Sequence, residues 1–251
     1  MAIKLKPLLL MSALLLFSIQ SHADNLNVAV ASNFASSLHS LAEDFESKTG
    51  HRLRISSAST GKLYTQINHG APFDVFLAAD EHRPELLIAE GKASAEFSLT
   101  YAMGRLVFIS NIPTEKNCID VLDSPALKRL AIANPQTAPY GLATQQTLEK
   151  LQRWQSTKAK LVMGENIAQT LQFVATGNAS AGFVAQSMLH QGIKINTACE
   201  WPVPADMHEA IKQKMLVLAG ASNKPAAIAF WQYMQSDDAR TIIKNSGYDV
   251  P

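Results

Sequence analysis

Beyond its first 23 residues the sequence has no run approaching 18 consecutive apolar residues, which excludes a membrane-spanning helix from that part. Net charge is nearly absent: 22 Lys and Arg stand against 21 Asp and Glu, so no electrostatic footprint exists for a nucleic-acid backbone or an anionic membrane. Internal repeats and low-complexity linkers are missing as well. With 47% hydrophobic and 17% charged residues, a disordered or fibrous chain is excluded, and 251 residues are ample for one large domain or two modest lobes. Gly61-Lys62 lacks the upstream Gly and the following Ser or Thr of a phosphate-binding loop, so nucleotide hydrolysis has no motif to rest on.

What is present begins with an export signature. Lys4 and Lys6 precede an apolar run from Leu8 to Ile19, and Ser21-His22-Ala23 places small residues at the minus-three and minus-one positions before Asp24. A cleavable signal peptide over residues 1–23 is expected, and no Cys follows the apolar run to receive a lipid. Taking 23 from 251 leaves 228 residues with 20 basic and 21 acidic side chains, outside the cytoplasm and soluble. In an oxidising compartment the two cysteines, Cys118 and Cys199, are expected to pair. The closed loop of roughly 80 residues is worth about 4 kcal/mol in the chain-entropy view.

Strand-like and helix-like segments alternate. Leu26 to Ala31 has strand length, and Leu38, Leu41, Ala42 and Phe45 then recur at helical spacing. Leu53–Ser57, Val75–Ala79, Arg105–Ser110, Leu130–Ala133, Lys160–Val162, Gly182–Val184 and Met215–Ala219 read as further strands. Helices around Leu63 and Ile67, before Gly91, at 141–153, 167–176 and 185–190, and through Ala227 to Met234 fall among them. This order predicts an α/β fold of mostly parallel sheets flanked by helices. Extended stretches near 104–110 and 215–221 are the expected crossings between two lobes.

In such sheets ligands sit beyond the carboxyl ends of strands, where helix N-termini leave N–H groups open. Four strand-to-helix turns carry suitable residues: Ser32-Asn33, Ser59-Thr60-Gly61, Pro139-Tyr140-Gly141 and Gly164-Glu165-Asn166-Ile167. Hydroxyls and helix dipoles together make an anion site without Lys or Arg. Any one of these residues could equally be an ordinary helix cap.

The stretches NVAVASNF, STGKLYTQINHGAPFDVFLAAD, GRLVF, LAIANPQTAPYGLAT, MGENIAQTLQFV and SAGFV together resemble the periplasmic molybdate-binding proteins of ABC transporters, over nearly all of the chain after the leader. The resemblance implies a two-lobed type II periplasmic binding fold, with each lobe a mixed, mostly parallel sheet and a tetrahedral oxyanion in the cleft. It implies hydroxyl ligands at Ser32 and at Thr60 or Ser59, with Thr60 preferred, and main-chain N–H ligands at Tyr140 and Ile167. Where other members carry a Tyr hydroxyl this chain has Ala185, and Asn33 is expected to supply the replacement donor. Glu165 is expected to face away. A donor-only site suits molybdate and the similarly sized tungstate, whereas protonated phosphate needs an acceptor and sulfate is smaller.

The resemblance further implies a monomer that serves the permease subunits of an ABC transporter in the periplasm, with no cofactor, no direct metal ligand, no nucleic-acid partner and no catalysis. The expected lobes are 24–104 with 219–251 returning, and 105–218. Competing readings are a binding protein for sulfate or phosphate, a serine acylase using Ser59 and Lys62, and a metal site around His82. The acylase fails because Lys48-Thr49-Gly50 lies on the wrong side of the nucleophile and no S-D-N follows. Iron-binding relatives use adjacent tyrosines, but Tyr64, Tyr101, Tyr140, Tyr233 and Tyr248 are isolated. An amino-acid site needs an Arg in the turns, and Arg83 and Arg105 lie outside them.

Overall fold

The computed structural model describes residues 24–189 and 195–251. The expected leader and His190 lie outside them. The chain opens with β1 (Asn25–Ala31), α1 (Ala35–Thr49), β2 (Arg52–Ala58), α2 (Thr60–Asn68), β3 (Val75–Leu77), α3 (His82–Ala89) and the 12-residue β4 (Ala93–Gly104). It continues through β5 (Leu106–Ser110), β6 (Leu130–Ala133), α4 (Pro139–Lys150), α5 (Trp154–Thr157), β7 (Leu161–Gly164), α6 (Ile167–Ala175), β8 (Ala181–Ala185), α7 (Gln186–Leu189) and β9 (Cys199–Pro202). β10 (Ile211–Leu218), α8 (Pro225–Tyr233) and α9 (Asp237–Asn245) complete it.

Strand alternation builds the first lobe's two cores. Leu26, Val28 and Val30 of β1 point to one face, where α1, α8 and α9 contribute Leu38, Leu41, Phe45, Phe230 and Ile243. Ala29 points to the other, against Leu63 and Ile67 of α2 and Leu87 of α3. Phe45 packs its ring 5.1 Å from Phe230 and 5.3 Å from Tyr233, and burial of each such side chain contributes about 1.5–3 kcal/mol. α1 ends where Gly50 adopts φ 76° and returns its N–H to Glu46 O, a conformation that favours glycine. The second lobe has one core, centred on β5, β6 and β8, with Phe108 and Phe183 5.0 Å apart.

The sheets run β2-β1-β3-β10-β4 and β7-β6-β8-β5-β9. Both therefore share one topology: three parallel strands, then an antiparallel strand that has just arrived from the other lobe, then an edge strand. β10 is antiparallel to β3 and β4, and β5 is antiparallel to β8 and β9. Parallel and antiparallel pairings are thus equal in number, a more mixed sheet than the strand–helix alternation predicts. The expected second-lobe boundary also changes. Residues 211–218 belong to the first sheet, because β10 pairs with β3 and β4, so the second lobe ends near residue 210 and the return crossing precedes β10.

β4 and β9 escape the sequence pattern because they are edge strands whose polar residues face solvent, leaving little apolar alternation to read. Trp154 and Trp201 pack on the second core and Trp231 on the first, as packing residues.

Cys118 and Cys199 form a disulfide, 81 residues apart, that ties the short 3₁₀ helix Cys118–Asp123 to the edge strand β9 inside the second lobe. Replacing both cysteines by serine is expected to cost about 2–5 kcal/mol in urea unfolding. Hydrogen exchange should localise the new opening to residues 118–123 and 199–202, with the first lobe's protection unchanged.

Candidate functional site

Six parallel strands end toward the gap between the lobes, and the segments after five of them meet there. Ala31, Ser32, Asn33, Ser59, Thr60, Ala79, Ala138, Pro139, Tyr140 and Ile167 line one small cavity. All six residues singled out from the sequence as small-ligand contacts are among them, drawn from chain positions more than 130 apart. The enclosed space is ≈ 10 Å³, far below the ~300–1,000 Å³ of drug-sized pockets, which excludes a bulky ligand. No Lys, Arg, Asp or Glu lines it.

Local chemistry leaves the cavity rich in donors. Ser32 follows β1, and its N–H donates to Ala58 O across the parallel pair at 3.0 Å, which holds the side chain in place. Its Oγ is buried with no protein partner. Ser59 occupies the N-cap of α2 but makes no cap hydrogen bond, so its hydroxyl is also uncommitted. Thr60 differs: its Oγ1 accepts from Ala79 N–H at 3.0 Å and fastens the second turn to the end of β3. Accepting that bond leaves the Thr60 hydroxyl proton free, so Ser59 and Thr60 both keep a proton that can be donated into the cavity. Thr60, Tyr140 and Ile167 stand in the first turns of α2, α4 and α6, where backbone N–H groups have no intrahelical acceptor. Asn166 is an ordinary cap, with its side chain accepting from Gln169 N–H at 3.0 Å.

Asn33 does not offer its amide to the cavity. Its Nδ2 donates to Gln213 Oε1 at 2.8 Å and to Tyr248 OH at 3.1 Å, which uses both protons. Tyr248 OH in turn donates to Asn33 O at 2.8 Å. Tyr101 OH lies within donating distance of Ala78 O, at 3.1 Å, and of Gln213 Oε1, at 3.2 Å. The rings of Tyr101 and Tyr248 pack edge-on to Phe34, with centroids 4.6 and 5.2 Å away. This buried polar cluster was missed from sequence. Lys212-Gln213-Lys214 reads as solvent-facing, and nothing local announces that Gln213 is fully buried.

Charges gather at the rim instead. Glu165 faces outward, as expected, and its carboxylate lies 3.4 Å from Lys62 Nζ across the cleft. Arg83 pairs with Asp80 and donates to Gln136 O of the second lobe at 2.8 Å, while Arg105 pairs with Asp249. Glu81 and Glu85 face Lys212 and Lys214, and among the described residues no group of three or more His, Cys, Asp and Glu could hold a metal ion. Lys62, exposed and paired, is no buried base for Ser59. The lobes also touch through backbone: Gly61 N–H donates to Thr137 O at 2.8 Å, and a Cβ on Gly61 would stand 3.0 Å from both Thr137 Cα and O.

A closed pair of α/β lobes over a small cavity of buried donors is the architecture of a solute-capture protein. The chain belongs to the bacterial extracellular solute-binding protein family, whose pattern it matches over residues 26–249. It is 44% identical to the molybdate-binding protein ModA of Azotobacter vinelandii, covering 94% of each chain, and 38% identical to that of Rhodobacter capsulatus, covering 88% and 86%. The solved Azotobacter vinelandii periplasmic molybdate-binding protein superposes with a TM-score of 0.83 at 38% identity, over 90% of this chain and 99% of that one. The sulfate-binding protein SubI of Mycobacterium tuberculosis, at 12% identity and a TM-score of 0.74, shares the fold.

Burial pushes the Tyr248 hydroxyl up to about 12, and burial likewise raises Tyr101 and Tyr140 well above the usual phenol range. Unfolded tyrosine ionises near ~10. Above that pH the unfolded chain sheds a proton that folded Tyr248 keeps, so this contribution to stability is whole below pH ~10 and drains away up to about 12. Urea midpoints measured from pH 8 to 11 should fall above 10, and fall less steeply in Tyr248→Phe; equal slopes would contradict the assignment.

Proposed function

We infer that the protein captures a tetrahedral dianion, molybdate with tungstate as its close analogue, in the periplasm and delivers it to a membrane permease. The observation that carries this reading is the buried, unpartnered hydroxyl of Ser32 and the uncapped hydroxyl of Ser59 beside the open first-turn N–H groups of three helices. Ser32 and Ser59 are the hydroxyl donors, and the N–H groups of Thr60, Tyr140 and Ile167 complete the cradle. Asn33 acts through its main chain and through the shape it gives the first turn.

A cavity lined by donors alone favours an ion with no proton of its own. Monoprotonated phosphate brings a donor that would find no acceptor, a mismatch that costs more than a missing bond. Sulfate matches molybdate in charge and shape, so size is what remains to separate them. The names of the 44% and 38% identical relatives support molybdate over sulfate. Residues 1–23 act as the export signal. The first lobe comprises 24–104 with 211–251, and the second 105–210; the lobes close by bending where β4 passes into β5 and where the chain enters β10.

At 100 times Kd, a ligand selective for the folded state adds about 2.7 kcal/mol, or about 5–10 °C in Tm for a protein of this size. Molybdate and tungstate should each produce such a shift at micromolar concentration. Phosphate should produce none; a shift with phosphate and none with molybdate would reverse the reading. Ser32→Ala and Ser59→Ala should each weaken molybdate binding by about 10- to 100-fold in calorimetric titration, since each removes a hydrogen bond to a charged group. Gly61→Val should raise Kd with the donors intact, because the branched side chain props the lobes apart at Thr137.

A further inference from the structure

Hydrogen bonds across the cleft fall on two consecutive carbonyls of the second lobe. Arg83, in the first turn of α3, donates from its guanidinium to Gln136 O at 2.8 Å, and Gly61, in the first turn of α2, donates its N–H to Thr137 O at 2.8 Å. The two donors pack together, since a Cβ built on Gly61 would fall 3.2 Å from Arg83 Nε. Arg83 is fixed from behind as well: Asp80 Oδ1 accepts its main-chain N–H at 3.0 Å, and Asp80 Oδ2 accepts from its guanidinium. The side chains of Arg83 and Asp80 are each 18% exposed, against 56% and 72% for Lys62 and Glu165, so Arg83 makes the sheltered crossing and Lys62 the solvated one.

The two carbonyls stand in a particular relation to Tyr140. At a helix start an N–H closes a turn on the carbonyl three or four residues earlier, which for Tyr140 means Thr137 O or Gln136 O. The other donors of the segment between β6 and α4 are spent locally. Gln136 N–H goes to Asn134 Oδ1 at 3.0 Å, Thr137 and Ala138 N–H go to Asn134 O at 3.2 and 2.9 Å, and Pro139 has none. Gly141 N–H returns to Ala138 O at 2.9 Å. Among the described residues Tyr140 N–H has no backbone acceptor, and Tyr140 lines the anion cavity. The first lobe thus occupies both carbonyls that could close a turn on this N–H and leaves the N–H open.

We propose that Arg83 is a positioning residue for the anion cradle. By holding Gln136 O beside the Gly61–Thr137 bond, it keeps the segment before α4 turned so that Tyr140 N–H faces the anion. Arg83 itself does not line the cavity, so its effect runs through the second lobe's backbone. The ends of the Arg83–Gln136 bond lie on different lobes, so parting the lobes breaks it, and losing it shortens the time the anion is held. The planar fork reaches Asp80 and Gln136 O at once, a geometry that an ammonium on a flexible stem does not reproduce. This inference rests on the molybdate reading above, and it concerns how long the ion is held, not which ion it is.

The test uses the purified chain, with Kd from calorimetric titration and koff from release of radiolabelled molybdate into excess unlabelled molybdate. Arg83→Lys keeps the positive charge beside Asp80 but not the fork, and should raise koff about 3- to 10-fold with kon within about twofold. Arg83→Gln should raise koff at least as much. Adding Asp80→Asn to Arg83→Gln should leave koff within about twofold of Arg83→Gln alone, because the lost contact is with a carbonyl. The ligand-free Tm of Arg83→Lys should match the wild type while its molybdate-induced shift shrinks; a merely structural role at the start of α3 would lower the ligand-free Tm and leave koff unchanged. A wild-type koff in Arg83→Lys, or a return to the wild-type koff when Asp80→Asn joins Arg83→Gln, would overturn the proposal, since charge alone would then account for Arg83. If Arg83→Gln fails to fold, Arg83→Lys decides the matter by itself. Failure of the wild type to bind molybdate at all would instead remove the reading beneath it.

Discussion

At the lobe junction buried hydrogen-bond donors outnumber acceptors, and the rest of the molecule is arranged around that imbalance. Ser32 Oγ is sealed from solvent without a partner, Ser59 declines the cap bond open to it, and three helices end there with first-turn N–H groups unmatched within the helix. A folded protein does not tolerate such groups cheaply, since each costs roughly 1–3 kcal/mol when no partner arrives. An anion held between these turns would satisfy several at once. Binding free energy thus comes from completing bonds the fold has left open, with dipoles instead of cations as the source of positive potential.

The sheet topology makes this arrangement possible. Each lobe contributes three parallel strands whose carboxyl ends point to the gap, and each borrows an antiparallel strand placed just after a crossing. The crossings at Gly104–Leu106 and before Ile211 are therefore flanked by sheet hydrogen bonding on both sides. The C-terminus reinforces the same place, with Asp249 bridging to Met103 and pairing with Arg105. At the rim Lys62 meets Glu165 across the gap, and Arg83, paired with Asp80, donates to the Gln136 carbonyl, all outside the cavity. Exposed pairs of this kind are worth little individually.

Much of the candidate site was legible because strand-to-helix turns carry a local signal. Ser32, Ser59, Tyr140 and Ile167 were found from their place after an apolar run and before helical periodicity, and the structure brings all four to one cavity. The anchoring of the Thr60 hydroxyl was not legible, because it depends on Ala79 N–H reaching it from 19 residues away. Asn33 looked like a donor to the cleft on the same grounds as Ser32. Its amide is occupied by Gln213 and Tyr248, which are 180 and 215 residues distant. β4 and β9 were missed for a related reason: an edge strand with one wet face carries too little apolar alternation to stand out.

The sequence by itself determined the α/β class, the order of strands and helices through most of the chain, and the turns that carry hydroxyls, since these follow from periodicity and capping over a few residues. Its composition also determined that any anion site must work without a surplus of Lys and Arg. Tertiary structure alone decided which hydroxyls stay free, the assignment of β10 to the first lobe, the equal share of antiparallel pairing and the burial of Gln213 beneath the cavity. Each of these depends on which distant groups come within about 3 Å of one another, and hydrogen-bond partners separated by 180 residues leave no trace in local pattern.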